Sequence, residues 1–258
     1  LDGAIGGMGS NVYILGNELY SIGNPNCDKL YHAIYISGIR RDDPPRAPTE
    51  SNREVAWNYI HECSSNRAIN VYSEQQYSAY IEGHRIHDNV ILNQKGDGIL
   101  LGYYVTGINS IYNNLVIRAG LGPEWVTGSS YHTGIRIFAG HELVTGTMVY
   151  CYNNTLYGCG WNGAQTGESG HFLVSTETLI HLNLMSFSNN IVRSTGEPYV
   201  AGESGNPQTA DLRNCWFGAG PAPAWDNTAI NTDPMFINTI ANNYQLQNGS
   251  PCINTGRN

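Results

Sequence analysis

A short apolar strand recurs along this chain at long intervals, and few folds accommodate that pattern. The recurring pieces read Gly3-Ala4-Ile5, Ala33-Ile34-Tyr35-Ile36, Ala68-Ile69-Asn70-Val71, Gly98-Ile99-Leu100-Leu101 and Gly134-Ile135-Arg136-Ile137. Their starts lie 30 to 36 residues apart, so each repeat must hold two or three short strands with turns between them. A second motif, an asparagine with apolar residues around it, returns at Asn17, Asn58, Asn89, Asn114, Asn154 and Asn190. Self-similarity at roughly 20–50 residues marks a solenoid, whose units bury their apolar faces only by stacking. Alternation places Ile34 and Ile36 on one side of their strand and Ala33, Tyr35 and Ser37 on the other. The inward pairs of later rungs are Ile69/Val71, Ile99/Leu101 and Ile135/Ile137. Asparagine at a tight bend adopts the left-handed conformation, and stacked asparagines bond one another along the axis. The asparagine column is therefore expected to be structural.

Composition agrees. Thirty glycines and only 13% charged residues suit many short strands joined by tight turns. With 41% apolar residues the chain is not of the disordered class. A net charge of −8 speaks against nucleic acid as a partner, which would want a basic stripe. No apolar run reaches the roughly 18 residues of a membrane-spanning helix. The match of Asp2-Gly3-Ala4-Ile5 to Asp97-Gly98-Ile99 reads as a start inside a rung, in a piece of something longer. Six cysteines, at 27, 63, 151, 159, 215 and 252, form an even set compatible with disulfides in an oxidising compartment. Cys215 and Cys252 are the preferred pair. Cys63 and Cys159 each follow a repeat asparagine by five residues, as same-column inward residues or as buried thiols. Asn153 and Asn248 begin glycosylation sequons.

The tail carries a resemblance. Asp233-Pro234-Met235-Phe236, Tyr244-Gln245-Leu246 and Gly249-Ser250-Pro251-Cys252-Ile253-Asn254-Thr255-Gly256 resemble the DPxF…YxLxxGSPxIDxG ending of many secreted bacterial β-helix proteins. The rungs resemble the right-handed parallel β-helix of the pectate-lyase-like superfamily. The fold expected is all-β: a single-stranded right-handed parallel β-helix of about six to seven rungs over residues 1–204. Residues 205–258 would form a closing segment of the same domain. The resemblance implies a secreted or cell-surface protein that handles polysaccharide. It does not decide among lyase, hydrolase, adhesin and structural protein, all of which this fold hosts.

The residue before each small strand residue is Asp2, His32, Arg67, Asp97 and Thr133 in turn, which stacking would gather into one corner column. The outward positions that follow include Tyr35, Asn70, Leu100 and Arg136, then Ser37, Tyr72, Gly102 and Phe138. Aromatic, amide and cationic groups together are what sugar recognition uses. Lyases of the resembled superfamily neutralise a uronate carboxylate with cations and remove the C5 proton with a base. The candidates for those roles are His32, Arg67, Arg136 and His132, with Tyr131 as an alternative base. Lys29, Tyr35, Asn70, Tyr72, Glu74, Asp97, Glu124 and Trp125 are the candidate substrate contacts. The plainer alternative has His32 and Arg67 pairing with Asp2 or Asp97 along the column.

A hydrolase would need a carboxylate pair, and Asp97, Glu74, Glu124 and Glu142 are the acids near the strip. Asp42-Asp43 reads as solvated surface and His141-Glu142 as a turn pair. The superfamily's calcium sites use clustered Asp and Glu, and no such cluster is legible. Trp125 and Trp161 would wall a cleft or cover the apolar column. Two functions follow. One is a polysaccharide lyase or hydrolase on the first-strand face. The other is a non-catalytic adhesion, glycan-binding or assembly module of a larger surface protein, with further chain or identical subunits stacking at the solenoid ends.

Overall fold

The computed structural model describes residues 3–23, 30–39, 49–73, 80–123, 131–139, 147–163, 168–176, 185–202 and 212–256. Asp2, Cys27, Lys29, Asp42, Asp43, Glu74, Glu124, Trp125, His141 and Glu142 lie outside them. The chain is an all-β parallel β-helix. Its first sheet stacks β1 (Gly3–Met8), β4 (His32–Ser37), β7 (Arg67–Ser73), β10 (Asp97–Tyr103), β13 (His132–Ala139), β16 (Ser169–Thr176) and β19 (Val200–Gly202). The second stacks β2 (Val12–Leu15), β5 (Arg53–Ala56), β8 (His84–His87), β11 (Ile108–Tyr112), β14 (Met148–Tyr152) and β17 (Met185–Ser188). The third stacks β3 (Glu18–Tyr20), β6 (Tyr59–His61), β9 (Val90–Gln94), β12 (Leu115–Ala119), β15 (Thr155–Tyr157), β18 (Ile191–Arg193) and β20 (Cys215–Phe217).

Three parallel sheets enclose one core, and each rung adds one residue to each core column. Ile34, Ile69, Ile99, Ile135 and Phe172 stack in the first sheet. Val55, Ile86, Ile111, Cys151 and Phe187 stack in the second. Ile60, Ile91, Val116, Leu156, Val192 and Trp216 stack in the third. All are essentially inaccessible to solvent. Branched side chains stacked in register keep their preferred strand rotamers and bury most of their surface.

A two-residue corner joins each second strand to the third, and it holds the asparagine column. Each column amide donates to the next rung: Asn58 Nδ2 to Asn89 Oδ1 at 2.9 Å, Asn89 to Asn114 at 3.0 Å, Asn114 to Asn154 at 3.0 Å and Asn154 to Asn190 at 3.0 Å. The backbone N–H of each donor residue reaches the same acceptor oxygen. Each amide also reaches back to a second-strand carbonyl one rung earlier, as Asn89 does to Val55 O at 2.9 Å. The ladder runs one rung further than the repeat suggests, through Asn214, and ends on the Asp226 carboxylate at 2.9 Å. One expectation needs correction. The left-handed residue is the one before the asparagine: Trp57, Asp88, Asn113, Asn153, Asn189 and Arg213 have φ between 45° and 56°. That residue makes the bend, and the asparagine turns inward to bond the stack.

The two ends differ. Trp216, Trp225, Phe187 and Tyr199 close the C-terminal end with ring centroids 5.5–5.9 Å apart, and Trp216 Nε1 donates to Asp226 at 2.8 Å. At the other end β1, β2 and β3 are paired on one side only among the described residues. Residues 233–256 then return along the third sheet. The antiparallel pair β21 (Phe236–Asn238) and β22 (Asn243–Leu246) packs Phe236 and Tyr244 on Leu92 and Ile117 of that sheet's outer face. Ser250 Oγ donates to Pro234 O at 2.6 Å, and Asp233 Oδ1 accepts from Met235 N at 2.9 Å. The tail motif therefore builds a clamp over the coil's flank.

The expected Cys215–Cys252 bridge is corrected to a pair of thiols in hydrogen-bond contact. The Cys215 thiol also bonds Thr232 O at 3.4 Å. Its contact with Cys252 pushes the Cys215 thiol up and holds the Cys252 thiol down. Cys63 and Cys159 are buried free thiols at equivalent third-sheet corners. Gln94 and Ala119 of the two intervening rungs pair with each other between them. Three rung spacings of about 4.8 Å each put Cys63 and Cys159 beyond bridging distance.

Replacing a central ladder residue should cost far more than an ordinary polar substitution. Asn114→Ala strands the buried N–H and Nδ2 of Asn89 and the carbonyl of Ile86. The expected loss is about 3–5 kcal/mol of unfolding free energy, measured by urea denaturation. A loss below about 1 kcal/mol would mean that the ladder is not a stabilising element.

Candidate functional site

The outer side of the first sheet is shaped by a break in strand alternation. Ala33 and Ala68, expected to face outward, lie in the core beside Ile34 and Ile69. A Cβ at Gly98 would meet Val116 Cγ1 at 2.9 Å, and one at Gly134 would meet Leu156 Cδ2 at 2.8 Å. Two consecutive residues thus face inward at each strand start, and only a small first one fits. The residue before them is turned away from the core. This brings the corner column beside the outward residues further along the strand. The column itself is corrected at its first member, because Gly3 and not Asp2 is in register with His32.

His32, Arg67 and Asp97 are aligned on successive rungs. Asp97 is fully buried and is the centre of the group. Arg67 Nε donates to its Oδ2 at 3.4 Å, Arg136 Nη1 lies 3.9 Å from the same oxygen, and Thr133 Oγ1 donates to Oδ1 at 2.8 Å. Tyr131 lies over the Arg136 guanidinium, its ring centroid 3.5 Å from Cζ, and Phe138 follows at 5.3 Å. Gly102 separates Tyr72 from Phe138 in register and lets their rings approach to 6.4 Å across the intervening rung. Tyr35 lies 5.2 Å from His32.

Among the described residues two guanidiniums share one carboxylate here, a surplus of one positive charge on a chain whose net charge is −8. Burial lowers the Arg136 pKa, Asp97 opposes that shift, and Arg67 adds to it. Burial, reinforced by Arg67, pulls His32 well below the usual imidazole value, so it is neutral near pH 7. Three buried polar atoms of this cluster have no hydrogen-bond partner among the described residues: His32 Nδ1, Asn70 Oδ1 and Arg136 Nε. Such atoms are costly unless something answers them. The accessible rim consists of Arg67, Tyr35, Tyr72 and Phe138.

His132 is elsewhere. It is buried at the third corner, its ring 4.8 Å from Trp161. Beside it a cleft of about 580 Å³ opens between the third-corner turns and the tip of the C-terminal clamp, lined by Arg118, Trp161, Glu197 and Ile240 among others. Trp161 was legible as a cleft wall; Arg118 and Glu197 carried no repeat signal. A stack of His87, Tyr112 and Tyr152 runs up the second sheet, with centroids 4.6 and 4.9 Å apart and planes within 12°. Each lies two residues before a ladder asparagine, so spacing alone reveals it. The faces between these rings are taken up by one another, and a sugar needs an open face to stack on.

Among the described residues no group of three or more His, Cys, Asp or Glu side chains converges as a metal site, and no helix is long and apolar enough to cross a membrane. Comparison with protein-family descriptions, with curated proteins and with solved structures finds no match.

Two further histidines are sealed in the coil. His171 donates from Nδ1 to Pro198 O at 3.1 Å and accepts Cys159 N at 3.2 Å, and burial lowers its pKa to about 4. His84, in register with Arg53, is lowered to about 3 by burial and then by that cation. Both stay neutral when folded and take a proton near pH 6.5 when unfolded. Stability is therefore full above pH 6.5 and is lost as pH falls toward 4, at about 1.4 kcal/mol per pH unit for each. Melting temperatures from pH 7.5 to 4.5 should fall steadily. A flat profile would contradict the burial of these rings.

Proposed function

We propose that this protein is a secreted or cell-surface glycan-recognition solenoid of the pectate-lyase-like type, which holds an acidic polysaccharide on its first-sheet face. The observation that carries this reading is the surplus guanidinium at Asp97 among the described residues, with the rim ring surface beside it. A uronate carboxylate would answer the surplus charge at the partly accessible Arg67. Tyr35, Tyr72 and Phe138 supply the ring surface beside it.

Recognition is favoured over catalysis because His32 is too weakly basic to take a C5 proton well. A specific contact supports β-elimination as a second reading. Tyr131 lies against Arg136, where it would serve as base while the guanidinium neutralises the uronate. Tyr131 would act as its phenolate: it would take the C5 proton, the C4–C5 double bond would form as the bond from C4 to the glycosidic oxygen breaks, and that oxygen would leave as a hydroxyl with the proton returned from Tyr131. A purely structural role in a larger surface assembly would instead use the one-sided edges of β1, β2 and β3.

Calorimetric titration with polygalacturonate and alginate at low ionic strength separates these readings. Binding is expected, weakened about ten- to hundredfold by Arg136→Gln and weakened by added salt. A rise in ultraviolet absorbance from unsaturated product, abolished by Tyr131→Phe, would establish the lyase. Absence of binding to every acidic polymer tried would remove both glycan readings.

A further inference from the structure

We propose that the cleft at the third corner is a second, separate binding site for a carboxylated sugar residue. The proposal rests on acidic glycan being the ligand class of the protein, but it uses different residues. Arg118, Trp161, Glu197 and Ile240 line the cleft, with Thr195 and Asn162 beside them. Its volume, about 580 Å³, falls within the roughly 300–1,000 Å³ of small-ligand sites. Arg118 sits on β12, Trp161 on the turn after β15 and Glu197 on the turn after β18, so stacking brings three rungs to one opening.

The side chains are held before any ligand arrives. Arg118 donates to Asn93 Oδ1 at 2.6 Å, to Tyr244 OH at 3.2 Å and to Asn242 Oδ1 at 3.2 Å. All three partners are neutral, and among the described residues no carboxylate lies within ion-pair distance of it. Glu197 accepts from Ser169 Oγ at 3.3 Å and likewise meets no cation. The Trp161 ring is pressed by the backbones of Gly122 and Gly163, where any Cβ would come within 2.4 Å of indole atoms. Ser169 also fixes the Trp161 backbone N–H at 2.7 Å. Preorganised groups lose little freedom on binding.

The pairing of an unanswered cation with an unanswered carboxylate narrows the ligand. A simple anion would meet Glu197 as well as Arg118, and a neutral sugar would leave the Arg118 charge unanswered. A uronic acid carries both chemistries: its carboxylate suits Arg118, and its hydroxyls donate to Glu197 and bond Thr195 and Asn162. Its C–H groups would rest on Leu121, Tyr157 and the Trp161 edge, all at the wall of the cleft.

The test is methyl NMR on protein with labelled isoleucine and leucine, titrated with digalacturonate. Ile240 is almost fully exposed at the cleft mouth, and Leu100 is in register with Arg136 on the first-sheet face. The expected result is a saturable shift of the Ile240 methyl that survives Arg136→Gln and is lost, with at least tenfold weaker binding, in Arg118→Gln. Arg118→Lys should retain it. Because Arg118 also ties down the clamp, Thr195→Val is the second variant and should weaken the Ile240 response several-fold. If Leu100 shifts and Ile240 does not, the cleft proposal is overturned while the first-sheet reading stands. If neither shifts, both fall. An Ile240 response indifferent to Arg118→Gln would overturn the carboxylate assignment.

Discussion

Everything else in this molecule depends on a buried amide that repeats once per rung. Each ladder asparagine spends its donors on the next rung's amide oxygen and on a strand carbonyl one rung back, so a shift of one residue in any rung would leave several buried polar groups unpaired. The apolar columns alone would not enforce this. Isoleucine against isoleucine tolerates small displacement, whereas an amide ladder tolerates none without losing bonds. Asp226 ends the series correctly, because a carboxylate can accept without needing a further acceptor.

Fixed register is what makes a charged cluster at the first sheet affordable. Asp97 is buried with two arginines from the rungs on either side, and neither guanidinium would tolerate burial without it. The small residue at each strand start contributes as much as the charges do. Because Ala33, Ala68, Gly98 and Gly134 let two successive positions enter the core, the residue before them emerges beside the outward side chains. The same stacking assembles the Arg118–Glu197 cleft from three turns that are distant in sequence.

Regularity was legible in the sequence and departures from it were not. The isoleucine spacing and the asparagine series foretold stacked rungs of two or three strands each and a ladder, because both follow from a period. The outward placing of Ala33 failed because simple alternation does not anticipate two inward residues in a row. The asparagine bend was assigned one residue late, since a left-handed corner and a buried amide are adjacent and only their division of labour decides which is which. Asn214 and Asp226 were missed because the last rung lacks the strand signature that precedes the others. Arg67, Asp97 and Arg136 were found by column reading. Thr133 was read as a member of that column, but its bond to Asp97 depends on side-chain direction. Cys215 and Cys252 were correctly brought together, although they meet as thiols.

The most direct test of the ladder's role is native-state hydrogen exchange on Asn114→Ala, resolved to individual amides. If the ladder sets the register of the whole rung, protection should fall together at Asn89 and Asn114 and at the first-sheet amides of Asp97, Ile99 and Ile135. If protection falls only at Asn89 and Asn114 while the first sheet exchanges as in the parent protein, the rungs are registered by their apolar columns. The ladder would then be a consequence of the stack and not its organiser.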